Sequence, residues 1–408
     1  MLKWRLAIMI VLAAALSGCG GHVRGVMQPV TITGTPKGTA VVDMLVATSR
    51  RPSDDPAVLF TGERASQPSI TDVAVSIPPD SARMVGTVQW PKKLPPDPQK
   101  DFAVVRVKPL SNITEGRAWL AQHAGGGHAM VFVHGFNNTY EDSVFRFAQI
   151  VHDSGADVMP VLFTWPSRAR VFDYNYDKES TNYSRTSLEQ TLNGLVQDGH
   201  VKDITILAHS MGTWLAMESI RQMAIRQGRL PSKIKNVILA SPDIDVDVFA
   251  RQWSELGDNR PNFTIFVSQD DRALALSRYI SGDVLRLGQI NPAEEPYRTK
   301  LEKAGITVVD LTQVKTEDAL KHGKFAENPE IVQLIGRRLV TGQTLTDSDI
   351  GVGDGITALV AGTANNIGQV AAGTVATPVN LLSGNMRSKK RPPDEVDLML
   401  EKEDSPID

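Results

Sequence analysis

The chain has a single cysteine, Cys19, among its 408 residues. No intramolecular disulfide is available, so burial alone must stabilise the fold. It carries no strong charge of either sign, with a formal net charge of -3, and so offers no electrostatic footprint for nucleic acid. It lacks metal-ligand spacings: there is no His-x-x-x-His pair and no cysteine to spare. No glycine-rich phosphate loop follows a strand-like run, and no cofactor is expected. There is no internal repeat. The N-terminal apolar run, Leu6 to Leu16, is too short for an ordinary membrane span. What remains is an ordinary apolar share, 41%, which excludes wholesale disorder. The length suits one large α/β domain with additions.

Lys3 and Arg5 precede that apolar run, which ends in Leu16-Ser17-Gly18-Cys19, the order of a targeting segment. The ending resembles the lipobox of bacterial lipoproteins. The resemblance implies that residues 1–18 are a signal peptide and that Cys19 is lipidated and becomes the mature first residue. Several acyl chains on one residue, palmitate among them, give durable membrane attachment. Gly20, rather than an aspartate, implies outer-membrane sorting. The expected location is the cell envelope, lipid-anchored at the outer membrane and facing the periplasm.

Residues 19–39, rich in Gly, Pro and Thr, read as a tether. Ala40 to Ala47, Met84 to Trp90 and Phe102 to Val107 read as strands opening a mixed sheet, with residues 50–80 irregular between the first two. From Asn112 the chain alternates strand-like and helix-like runs. Strands end at Val133, Trp165, Ala208, Ala240, Val267 and Leu311, with amphipathic runs between them. This pattern predicts a mostly parallel, doubly wound sheet covered on both faces over residues 40–340. Reactive groups then gather at the carboxyl ends of its strands. Residues 166–183, polar and aromatic, leave one such end and read as a lid-like insertion. Residues 341–386 form a Gly/Ala-rich tract without an assigned role, and the charged stretch 387–408 reads as a disordered tail.

The most telling block is Ala208-His209-Ser210-Met211-Gly212, directly after Ile204-Thr205-Ile206-Leu207 and before a helix-like segment. A serine presented at a tight strand-to-helix turn sits in a strained backbone, and the residues two before and two after it must be small. Alanine in place of the commoner glycine at 208 adds one methyl.

A serine hydroxyl needs a base, and the base needs an orienting acid. Of eight histidines, only His322 lies beyond Ser210. It falls in a loop after the last predicted strand, the chain order nucleophile, acid, histidine of the strand–turn–helix hydrolases. For the acid, Asp271 is chosen on the loop after Phe263 to Val267; Asp270 is the runner-up and Asp243 a third option. The oxyanion needs two N–H donors. These are assigned to Met211, after the nucleophile, and Phe136, in the loop His134-Gly135-Phe136. His134 is expected to brace that loop and His209 to be packed.

Together with Thr164-Trp165-Pro166-Ser167 and Ser241-Pro242-Asp243-Ile244-Asp245, these blocks resemble the α/β-hydrolase superfamily over roughly 131–340. More narrowly they resemble bacterial esterase/lipase-like hydrolases whose physiological substrates are largely unassigned. The resemblance implies a Ser–Asp–His hydrolase without a cofactor, acting on carboxylic, acyl or lipid-like esters. Its partners would be that ester and, through Cys19, a membrane. Two alternatives stay open: an inactive hydrolase-fold lipoprotein that binds a partner, and an acyltransferase.

Overall fold

The computed structural model describes residues 22–31 and 37–336, and the backbone of 357–359. The expected signal peptide, Cys19, the 387–408 tail and the rest of the 341–386 tract lie outside those residues. The strands are β1 (Ala40–Pro52), β2 (Phe60–Ile77), β3 (Ala103–Leu110), β4 (His128–Val133), β5 (Met159–Thr164), β6 (Asp203–His209), β7 (Ile234–Ala240), β8 (Asn262–Val267), β9 (Thr307–Asp310) and β10 (Thr357–Leu359). They form one sheet in the order β10-β9-β8-β7-β6-β4-β5-β1-β2-β3. From β1 to β9 the neighbours run parallel, while β2 and β3 on one side and β10 on the other pair antiparallel. The helices are α1 (Ile113–Gln122), α2 (Tyr140–Ser154), α3 (Tyr174–Gln197), α4 (Met211–Gln227), α5 (Val246–Ser254), α6 (Arg272–Ile280), α7 (Tyr297–Ala304), α8 (Lys324–Glu327) and α9 (Pro329–Leu334). The fold is the doubly wound α/β sheet that the alternation predicts.

The central strands are apolar on both faces because both faces are covered. Val131 and Val133 of β4 join the cluster that holds Leu188, Leu215 and Ile220, while Phe132 between them joins the opposite one with Val144, Phe145 and Phe147. β6 alternates likewise, with Ile206 and Ala208 on the first face and Leu207 on the second.

Three local expectations change. Residues 60–77, within the stretch read as irregular, form the long strand β2, whose register with β1 spans Ala40↔Ile77 to Pro52↔Phe60. Its outer half is broken by polar residues and a register shift, which hides the alternation. Met84 to Trp90 is not a strand; it runs as turn and extended chain over α2. The lid-like insertion 166–183 is extended chain and a single turn only to Asp173, and from Tyr174 it is already α3. The buried stripe of that helix is Tyr174, Asp177, Thr181, Ser184, Leu188, Leu192 and Leu195. The spacing is helical, but its first half is polar, so it does not read as amphipathic. Ser184 Oγ meets Ser49 Oγ of β1 at 2.8 Å, so hydrogen bonding does there what apolar contact does further along.

The segment read as a tether is also partly docked. Val26 and Met27 are buried, 3% and 5% exposed, in the cluster with Phe60 and Phe102. Val30 N–H donates to Val104 O at 2.9 Å. The two apolar residues are short of any periodic pattern, so composition alone reads the segment as linker. Met27→Ala is expected to lower stability by about 2 kcal/mol, measured by urea unfolding, whereas an undocked segment would give no shift.

Candidate active site

Ser210 closes β6 and opens α4 with its backbone at φ 52° and ψ -125°. A non-glycine residue in such a region costs about 1–3 kcal/mol and persists only where its surroundings over-determine it. Ser210 N–H donates to Ala240 O at 2.9 Å, at the end of β7. Ser210 C=O accepts from Thr213 N–H at 3.0 Å, Asp243 N–H at 3.2 Å and Thr213 Oγ1 at 2.6 Å.

The small residues around it are explained by backbone approach. A Cβ on Gly212 would lie 2.2 Å from the His134 carbonyl oxygen and 2.7 Å from that of Val133. A Cβ on Gly135 would lie 2.9 Å from Ser210 Cβ. These two glycines let α4 and the β4 loop meet at the serine. Ala208 sits within the sheet, opposite Val133 and Leu239, and its methyl is part of the buried core.

Asp271 and His322, 51 residues apart, are hydrogen-bonded: Asp271 Oδ2 accepts from His322 Nδ1 at 2.7 Å. The other oxygen, Oδ1, accepts from Leu274 N–H at 2.9 Å and so caps α6. The Asp271 side chain is fully buried and that of His322 is 15% exposed. Burial by itself would lower the affinity of His322 for a proton. The charge of Asp271 and its hydrogen bond, with Asp243 and Asp318 behind, outweigh burial and raise the imidazole above its ordinary value. With Nδ1 committed to Asp271, Nε2 is the nitrogen left for proton transfer.

The His322 ring lies 4.6 Å from the ring of His209, the residue before Ser210. His209 also packs on Phe325 at 4.6 Å, and its Nε2 faces His322 O at 3.4 Å. Burial, then the neighbouring His322, keeps His209 well below the usual imidazole range, so it is a neutral packing surface. Among the described residues no hydrogen bond closes on the Ser210 hydroxyl; such contacts commonly tighten only around substrate.

The two other carboxylates are occupied. Asp270 takes Lys321 Nζ at 2.8 Å, Lys324 Nζ at 2.7 Å and Ser268 Oγ at 2.6 Å. Burial opposes its charge, but those partners outweigh it and hold the carboxyl down to about 2. Asp243 accepts from Tyr174 Oη at 3.0 Å and Ser277 Oγ at 2.5 Å, and stands 3.3 Å from buried Arg286 Nε.

The loop carrying His322 is fixed by two groups that sequence patterning does not single out. Asp318 Oδ2 accepts from His322 N–H at 2.7 Å and Gly323 N–H at 3.1 Å. Buried Lys324 reaches past Asp270 to Leu311 O at 2.9 Å and Thr312 O at 3.1 Å. A lysine two residues after a histidine carries no signal of such burial.

On the opposite side, Met211 is the first residue of α4, where an N–H has no acceptor within the helix and the dipole is positive. Phe136 follows Gly135, and its ring packs edge-on against Tyr174 at 5.3 Å. His134 braces this loop: its Nδ1–H donates to Gly135 O at 2.8 Å, its Nε2 accepts from Trp165 N–H at 3.1 Å, and the His134 and Trp165 rings stack at 4.8 Å. Burial, then the charge of Arg50, pushes His134 down to about 3. Arg50 itself is buried, 1% exposed, and donates to Asn138 O at 2.7 Å and Ser167 O at 3.0 Å, tying the loops after β4 and β5 together. Burial lowers its pKa to about 10. It lies beyond the part of β1 that reads as a strand.

Among the described residues no group of His, Cys, Asp and Glu is placed to hold a metal ion. A groove of about 950 Å³ lined by Leu230, Lys233, Lys235 and Arg260 lies at the amino ends of β7 and β8, the edge opposite Ser210.

A parallel sheet of this winding, with its serine raised on a strained turn at the carboxyl ends of the strands, is that of the α/β hydrolases. The chain belongs to the family described as alpha/beta hydrolase of unknown function (DUF900), whose model matches residues 113–338, more than half of it. No curated protein matches the chain. Among solved structures it is similar to an esterase from Pyrobaculum calidifontis, at 14% identity, covering 74% of this chain and 85% of that one with a TM-score of 0.35. It is also similar to a fungal esterase from Rhizomucor miehei, at 13% identity, covering 65% and 81% with a TM-score of 0.26.

Gly212→Ala is expected to cost at least about 2 kcal/mol, because the added methyl meets backbone that cannot rotate away. The urea midpoint measures it; an unchanged midpoint would show that α4 can retreat.

Proposed function

We propose that this chain is a lipid-anchored serine hydrolase of carboxylic esters. The observation that supports it is the 2.7 Å bond between His322 Nδ1 and a fully buried Asp271, on the strand edge where Ser210 stands in its strained turn. His322 Nε2 takes the Ser210 proton as Oγ attacks the acyl carbonyl. The N–H groups of Met211 and Phe136 hold the tetrahedral oxyanion. His322 returns the proton to the departing alkoxide, leaving an acyl-Ser210. Water, deprotonated by the same nitrogen, then attacks the acyl carbon and releases the acid with the serine hydroxyl restored. Asp271 keeps the imidazole in one tautomer and stabilises its charged form. The lipobox-like Leu16-Ser17-Gly18-Cys19 supports an anchor at Cys19 and a place in the cell envelope, at the outer membrane on the periplasmic side.

Ser210→Ala is expected to abolish turnover of short p-nitrophenyl esters and labelling by a fluorophosphonate, with circular dichroism unchanged. Wild-type turnover in that variant would refute the assignment. Asp271→Asn is expected to cost about a thousandfold or more in kcat, and Asp270→Asn far less; equal small losses would move the acid elsewhere.

The base works only when neutral, and its protonated form is favoured beyond the ordinary value. The acid limb of kcat/KM therefore lies at higher pH than an ordinary imidazole would give. In Asp271→Asn the raising influence is weakened and burial remains, so the limb moves to lower pH. A limb that stays put on that substitution would mean that another group titrates.

A further inference from the structure

Three of the large exposed apolar side chains lie on elements that leave the Ser210 edge. Phe172 is 94% exposed, in the single turn before α3; Tyr279 and Ile280, at the end of α6, are 77% and 43% exposed. The two elements are joined, since Tyr174 Oη meets Ser277 Oγ at 2.8 Å, and Phe136 packs against the same tyrosine. The rim therefore follows the β4 loop, the turn before α3 and the end of α6. Exposed Arg170 stands two residues before Phe172. An aromatic side chain with a cation close by suits the boundary between acyl chains and anionic headgroups.

A second observation concerns where the chain enters the domain. The His22 ring stacks on Trp90 at 3.5 Å, and its Nε2 lies 3.3 Å from Asp142 Oδ1. Asp142 belongs to the capping box that opens α2, directly after the β4 loop. β4, β5 and β6 run parallel, so the start of α2, the turn before α3 and Ser210 all lie at one edge of the sheet. Cys19 is three residues before His22, a reach of about 10 Å at full extension. A lipid carried by Cys19 would be held within that reach of the start of α2, at the edge that carries Ser210.

We propose that this edge lies against the phospholipid bilayer, with Phe172, Tyr279 and Ile280 set into the headgroup boundary, and that Ser210 takes its ester from the lipid layer. The proposal rests on the anchor at Cys19 and on the hydrolase assignment above. A second copy of the chain is the other occupant such a rim can take, but the short leash at Cys19 brings lipid, not protein, to it.

The test uses the full-length lipidated protein in vesicles of phosphatidylethanolamine and phosphatidylglycerol. With Cys19 acylated, Phe172→Cys offers one thiol for a nitroxide label, and Arg229→Cys, at the opposite edge, serves as control. Power saturation is expected to place label 172 in contact with oxygen and shielded from a water-soluble nickel relaxant, with label 229 fully accessible to the nickel. Equal accessibility at both positions overturns the proposal, as does label 172 shielded equally in detergent-free dimers without vesicles. Intact mass of the mature chain checks the anchor separately, and an unacylated Cys19 also overturns it.

As a second arm, Tyr279→Ser with Ile280→Ser is expected to lower hydrolysis of an ester embedded in vesicles at least about tenfold, since two apolar side chains are withdrawn from the boundary. Turnover of a soluble short ester should be unchanged. Equal rates of vesicle hydrolysis in variant and parent count against the proposal. Turnover that survives Ser210→Ala would instead remove the hydrolase assignment, leaving the label depth to decide orientation alone.

Discussion

Everything at the reactive edge depends on one close contact between backbones. The first turn of α4 lies against the carbonyls of Val133 and His134, a distance that a side chain at 212 would fill. At the same turn Ser210 takes a positive φ of 52° between β6 and α4. The approach also sets the start of a helix, with its unpaired N–H groups, beside the β4 loop. The proposed nucleophile and anion-binding groups are thus one local construction, held in place by the hydrogen bonds of Ser210 to Ala240, Thr213 and Asp243.

The proposed base, His322, belongs to a different construction, and its supports are mostly charged. Asp271 divides its two oxygens between a helix end and an imidazole. Asp270 takes two ammonium groups, and one of them, on Lys324, is buried and also satisfied by carbonyls at the end of β9. Buried charge is tolerated when each donor and acceptor finds a partner. The result is a histidine loop held by charged and polar partners, running directly into the buried Phe325 and Ala326. Adjacent carboxylates in the sequence have opposite employment, one on the imidazole and one on the lysines.

The sequence makes plain those features that depend on neighbours in the chain. The apolar run ending at Leu207, the small residues around Ser210, and the alternation from Asn112 onward each express local geometry, and the parallel sheet follows from them. The pairing of positions 271 and 322 could be ranked from chain order, although Asp270 and Asp243 carry the same functional group. What lies beyond local pattern is different in kind. Arg50 is buried because carbonyls from two distant loops converge on it. The first half of α3 buries serine, threonine and aspartate, so apolar periodicity starts late. Val26 and Met27 find a pocket that β2, β3 and α2 make, and nothing within the segment announces it.

The order of these parts along the chain has a consequence for synthesis. The serine turn is complete once β7 has been made, more than thirty residues before Asp271 and about eighty before His322. A nascent chain, or one cut short before the histidine loop, carries a serine with no partner to accept its proton. On the proposed chemistry, an inert precursor is the default and competence arrives only when the last parallel strand and its loop close the sheet. On that chemistry, activity depends on a residue made near the end of the described domain.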